Sequence, residues 1–217
     1  MFRAALIPLA LAAPAPALAH PHIFIDTGLE VIFDEAGRLT HVKVTWEYDA
    51  FYSLLTMEER GLDPDYDGVL TAEEEAALSG FDAQWIPGFN GDLVGILGDT
   101  PLDLSGPLKP TARVVEGQII TTHLREVKGT PLLEGEQLSF KPYDETFYTA
   151  YEVTGPVKFV GLKGCETTKR APDIEAMMRR FSDLLLTLDT DITPEDAGLP
   201  PIGEAFATEV TITCPAF

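Results

Sequence analysis

The chain has 217 residues, 45% of them hydrophobic, and a formal net charge of −20. That length and apolar share suit one domain with a real core and exclude a disordered tail. The acidity excludes nucleic acid and anionic membranes as natural partners, leaves cations as the natural small ones, and 18 Gly with 17 Pro argue against a helical bundle.

Residues 1–19 read as a secretory signal. Arg3 supplies the positive region, Ala4 to Ala13 is an apolar run broken only by Pro8, and Ala17-Leu18-Ala19 fits a small-x-small cleavage site. The run is shorter than the roughly 20 apolar residues needed to span a bilayer, so a retained anchor is the weaker reading. No later stretch is apolar enough to span. The expectation is a periplasmic protein cut after Ala19, with a single exported domain over 20–217.

Cleavage there exposes His20-Pro21-His22. An N-terminal His chelates through its amine and ring nitrogen, and a second His completes a set of the histidine-brace kind. Pro21 has no amide hydrogen, which excludes the square-planar site built on backbone amides with His third. The alternative is a frayed terminus that merely carries two histidines.

Residues 22–33 and 38–49 each alternate, with Ile25, Leu29, Val31 and Phe33, then Val42, Val44, Trp46 and Tyr48, on the apolar faces. Period two means strands. Asp34-Glu35-Ala36-Gly37 is the turn between them. A two-residue loop at Ala36-Gly37 sets Val31 opposite Val42 and Leu29 opposite Val44, core face against core face. On the other face Asp26 then lies across from Glu47, Phe24 from Asp49, and His22 is diagonal to Asp49. Mixed imidazole and carboxylate ligands suit zinc, nickel, cobalt or manganese, with copper also possible. His41 falls at the far end of the hairpin, and nothing in the sequence places His123.

Helices are expected over 50–60 and 71–79, around Asp63-Pro64-Asp65-Tyr66-Asp67-Gly68-Val69-Leu70-Thr71-Ala72-Glu73-Glu74. This fits the twelve-residue calcium loop of an EF-hand at every ligand position. Asp63, Asp65 and Asp67 supply carboxylates, Gly68 the sharp turn, Val69 a carbonyl, Thr71 a direct or water-mediated ligand, and Glu74 the bidentate carboxylate. The bland alternative is a solvated acidic turn. A single hand in an exported protein points to structural calcium rather than signalling. The hand forms an insertion over about 50–82.

Hairpin signals follow at 94–97 with 101–104 and at 113–115 with 118–127. Strands are expected near 136–142, 145–153, 157–163 and 205–214. A helix over 173–188 has Asp173 as its N-cap and its Met pair as core filling, and 189–203 is a Pro-rich loop. Cys165 and Cys214 are the only cysteines, and in an exported chain they read as one disulfide. The expected fold is α+β: β-rich antiparallel hairpins, the EF-hand-like helix-loop-helix inserted after the second strand, and one late helix on the sheet.

His20-Pro21-His22-Ile23-Phe24-Ile25-Asp26, Val44-Thr45-Trp46-Glu47-Tyr48-Asp49 with Phe51-Tyr52, the acidic loop, and Tyr143-Asp144-Glu145-Thr146-Phe147-Tyr148 together resemble the exported domain-of-unknown-function family 1007. That family is also labelled a periplasmic component of an uncharacterised transport system. The resemblance runs to about residue 165. It implies a partner among inner-membrane transporters of nickel/cobalt type, and it alone adds Asp144 to the candidate ligands.

Three functions follow. The first is a periplasmic protein that captures or delivers a divalent transition metal, held by His20 and His22 with Asp26, Glu47, Asp49 or Asp144. The second is a calcium-stabilised interaction module with incidental histidines. The third is an oxidative enzyme using brace-bound copper. The chain has no GxSxG elbow, no HExxH and no phosphate-cradling glycine loop, so no common hydrolase class is indicated.

Overall fold

A computed structural model describes residues 21–185 and 202–215. The expected signal over 1–19, His20 and most of the expected Pro-rich loop lie outside the described residues. Strand β1 (Ile23–Phe33) pairs antiparallel with β2 (Leu39–Tyr48), and Val31↔Val42, Leu29↔Val44 and Asp26↔Glu47 stand as the alternation requires. The turn differs from the expected two-residue loop. Asp34 N–H donates to Arg38 O and Gly37 N–H to Asp34 O, so three residues form the loop, with Gly37 at φ 73°. Asp34 Oδ1 also accepts from the N–H groups of Ala36 and Arg38, which favours this longer turn. The register then shifts between Ile32 and Phe33. That bulge absorbs the extra residue and returns the apolar sets to one face.

Two sheets result. The first runs β5 (Leu108–Val115), β6 (Gln118–Glu126), β2, β1 and β8 (Thr149–Glu152), with β9 (Lys158–Val160) also on β1. The second runs β10 (Glu166–Arg170), β11 (Glu209–Thr213), β7 (Leu138–Pro142), β3 (Leu93–Leu97) and β4 (Thr100–Pro101). The expected antiparallel hairpins form the core, and one edge adds parallel pairing. β8 and β9 lie parallel to β1, one after the other along its length. The chain reaches β8 from β7 in the opposite sheet, so no hairpin turn dictates its direction. The expected strand at 101–104 shrinks to β4, and β10 was not expected because its residues are polar and largely exposed.

The inner faces meet in a single core. Ile25, Leu29, Val31, Val42 and Val44 of the first sheet pack with Leu138, Phe140, Val210 and Ile212 of the second. Gly95 lets the Phe140 ring lie on the β3 backbone, since a Cβ there would come within 2.9 Å of it. Helices α1 (Ala50–Arg60) and α2 (Ala72–Leu78) sit between β2 and β3 in the chain, and Met57, Leu70 and Leu78 join the core. The late helix, α3 (Ile174–Leu185), is N-capped by Asp173, whose Oδ1 accepts from Ala176 N–H at 2.9 Å. Its Met177 and Met178 fill a small second cluster with Phe147, Ile202 and Phe206. Cys165 and Cys214 form a disulfide that fastens β11 to the edge strand β10.

Candidate metal centre

Gly61 ends α1 in the left-handed conformation, its N–H donating to Glu58 O and Met57 O. The chain then folds into the acidic loop. The Asp63 side chain is buried, and its two carboxylate oxygens accept from Asp67 N–H at 3.0 Å and Gly68 N–H at 3.1 Å. Gly68 sits at φ 75°, where a side chain would be strained. At the far end Thr71 caps α2, and Glu74 closes a reciprocal capping box with it. Glu74 also reaches back along the loop, its Oε1 accepting from Asp63 N–H at 3.3 Å. Bonds from the Thr71 backbone and hydroxyl hold the Glu74 carboxyl below its usual range.

These bonds draw ligand atoms of Asp63, Asp65 and Asp67 within 4.8 Å of one another. Among the described residues, no other trio of His, Cys, Asp and Glu does so, and none of the ion pairs they form involves these carboxylates. Three carboxylates held this close repel one another unless a cation lies between them. The three carboxylates offer oxygen donors alone, the hard kind that calcium takes rather than a soft metal.

The expected transition-metal ligands are dispersed into other duties. His22 N–H donates to Tyr148 O at 2.8 Å, and its ring stands 4.7 Å from that of Tyr148. Asp49 caps α1: Oδ1 accepts from Tyr52 N–H and Oδ2 from Phe24 N–H, both at 2.9 Å. Asp26 accepts from the Thr154 N–H at 3.0 Å and from the Thr154 hydroxyl. Asp144 builds a turn, accepting from Thr146 N–H and hydroxyl and from Thr149 N–H. Glu47 stays exposed, directly across from Asp26. The parallel strand adds a residue the sequence reading missed. Glu152 pairs with Asp26, so Glu47, Asp26 and Glu152 form one row across three strands, lining with Asp49 a hollow of about 240 Å³.

His123 is not part of that row. It lies on the opposite, inner face of the sheet, beside Val44 on β2. Its ring is buried edge-on between Trp46, at 4.7 Å, and Trp85, at 5.3 Å. Burial, with the Arg125 charge beside it, pushes its pKa down to about 3. Around it runs a half-buried polar set that no local spacing announced. Asp82 accepts from the Tyr48 hydroxyl at 3.0 Å and the Thr121 hydroxyl at 2.6 Å, and burial raises its pKa. Asp92 accepts from the Tyr151 hydroxyl at 2.8 Å, and burial pushes it up to about 7. Arg125 stacks over Trp85 at 4.7 Å and donates to Asn90 O and Ser105 O. These bonds strap residues 82–92 across the inner end of the first sheet.

No helix among the described residues is long and apolar enough to cross a membrane. A search of the curated proteins finds no match. The family described as "Protein of unknown function (DUF1007)" matches over residues 5–214, which is nearly the whole chain, and the chain belongs to that family.

Proposed function

We propose that this chain is an exported divalent-metal-binding protein with two sites of different chemistry. Calcium occupies the loop over 63–74 and fastens the helical insertion to the sandwich. A transition metal, such as nickel, cobalt, zinc or copper, is taken at the N-terminal end of β1, for exchange with an inner-membrane transporter. The observation that carries the reading is the convergence of Asp63, Asp65 and Asp67 within 4.8 Å, with Glu74 folded back onto the start of the loop. The Thr71 hydroxyl donates to Glu74 at 2.7 Å, which leaves this position to act on calcium through water.

The transition-metal half rests on a separate observation, the row Glu47–Asp26–Glu152 beside the start of β1. His22 lies two residues from the Phe24 that lines the same hollow. In this reading the His20 and His22 imidazoles turn to the carboxylate row and bind a borderline metal reversibly, which suits a carrier.

Calorimetry on the cleaved protein tests both halves. One calcium per chain is expected, lost in Asp63→Ala. At a concentration about 100-fold above Kd, calcium adds about 2.7 kcal/mol of stability, or roughly 5–11 °C in melting temperature for a chain of this size. No calcium-dependent shift would overturn the first half. Nickel, cobalt, zinc and copper are then titrated into the His20→Ala/His22→Ala double variant. Undiminished affinity there would overturn the second half and leave the first standing.

A further inference from the structure

Helix α1 turns much of its apolar surface to solvent. The face it turns to the sheet carries Ser53, Thr56 and Met57, all buried. Ser53 serves the sheet directly, its hydroxyl accepting from Ile119 N–H at 2.9 Å. The large apolar residues point to solvent: Phe51 is 69% exposed, Leu54 48% and Leu55 39%. At i, i+3 and i+4 they form one continuous stripe. Tyr66 of the acidic loop, 71% exposed, extends it across a hollow of about 200 Å³ floored by Met57 and Leu62. A sequence that puts serine and threonine inside and phenylalanine and leucine outside has not optimised this helix for an isolated fold.

The segment that carries the stripe is nearly one-signed, and Glu58 and Glu59 stand exposed on α1 itself. Residues 50–82 contain nine carboxylates and a single basic residue, Arg60, which is stacked over the Phe81 ring at 5.1 Å. A second copy of the chain would bring two acidic rims together, and an anionic lipid surface would be repelled. A positively charged apolar segment meets both features at once.

We propose that the outer face of α1, with Tyr66, is a docking surface for a basic amphipathic segment of a partner protein. The apolar side of that segment covers Phe51, Leu54 and Leu55, and its Lys or Arg side chains meet exposed carboxylates of α1 such as Glu58 and Glu59. The surface stands on α1 whether or not the loop holds calcium, so it does not depend on the metal reading.

The test titrates the cleaved protein, with and without calcium, at physiological salt. The probe is a helix-forming peptide of leucine and lysine at amphipathic spacing, beside a scrambled peptide of the same composition. Saturable binding of the amphipathic peptide is expected. Phe51→Ser/Leu54→Ser/Leu55→Ser, which keeps every carboxylate, should weaken it about tenfold or more, with the melting temperature and calcium affinity unchanged. Should the triple variant lose its fold, Phe51→Ser alone carries the same comparison. Equal affinity for the scrambled peptide, or equal binding by the variant, would reduce the contact to charge and overturn the proposal. Preference for phosphatidylcholine vesicles over the peptide, or a dimer that the variant abolishes, would overturn it in favour of a membrane or a second copy.

Discussion

His123 shows how far a residue's chemistry is set by where its strand lies. As a sequence symbol it is a free imidazole. In the fold it is a neutral wedge between Trp46 and Trp85, with its pKa pushed down to about 3. The unfolded chain binds a proton near the ordinary histidine pKa of about 6.5, and the folded chain resists it. Its contribution to stability is therefore present above that pKa and is lost as pH falls toward 3. His123→Phe keeps an aromatic wedge and removes the proton. Urea unfolding at pH 4 and pH 7 should show a smaller loss of stability on acidification in this variant than in the wild type, and an equal loss would refute this account.

At the scale of elements, the helical insertion is joined to the sheet by few hydrogen bonds. Ser53 satisfies the Ile119 N–H of β6, and the Ser79 hydroxyl accepts from Ala112 N–H of β5 at 3.1 Å. Ser53→Ala leaves a buried donor without its acceptor, which costs about 1–3 kcal/mol. Thermal melts should show that loss, with the amides of the insertion exchanging faster than those of the β1–β2 pair. Much of this arrangement was legible beforehand. The alternation of Ile25 to Phe33 and of Val42 to Tyr48 decided the hairpin register, because a slip of one residue would expose every apolar side chain. The turn escaped it, since bulges depend on local bonds such as those to Asp34. The polar edge strand β10 escaped it as well, because neither face of that strand carries an apolar period.

For the whole molecule, the sandwich is closed by one covalent link near its C-terminus. Cys165 and Cys214 are 49 residues apart in sequence, and the loop-entropy account gives the bond about 4 kcal/mol. Cys165→Ser/Cys214→Ser should lose roughly that much in denaturant unfolding, while the first sheet, which lacks both residues, and the acidic loop over 63–74 keep their structure. A double variant as stable as the wild type would show that β10 and β11 hold together without the link.

By itself the sequence determined what is local or admits a single solution. Alternation set the β1–β2 register, twelve-residue spacing assembled Asp63, Asp65, Asp67 and Glu74 in one loop, and two cysteines have one way to pair. The tertiary structure alone decided which distant segments share a surface. It laid β8 parallel on β1, and so brought Glu152 into line with Asp26 and Glu47. It spent Asp49 on a helix cap and Asp144 on a turn. It buried His123 between Trp46 and Trp85 and half-buried Asp82 and Asp92 against tyrosine hydroxyls, and it turned the apolar stripe of α1 outward. Register and loop spacing are short-range constraints. Burial and cross-sheet neighbours emerge only when strands far apart in the chain close on a common core.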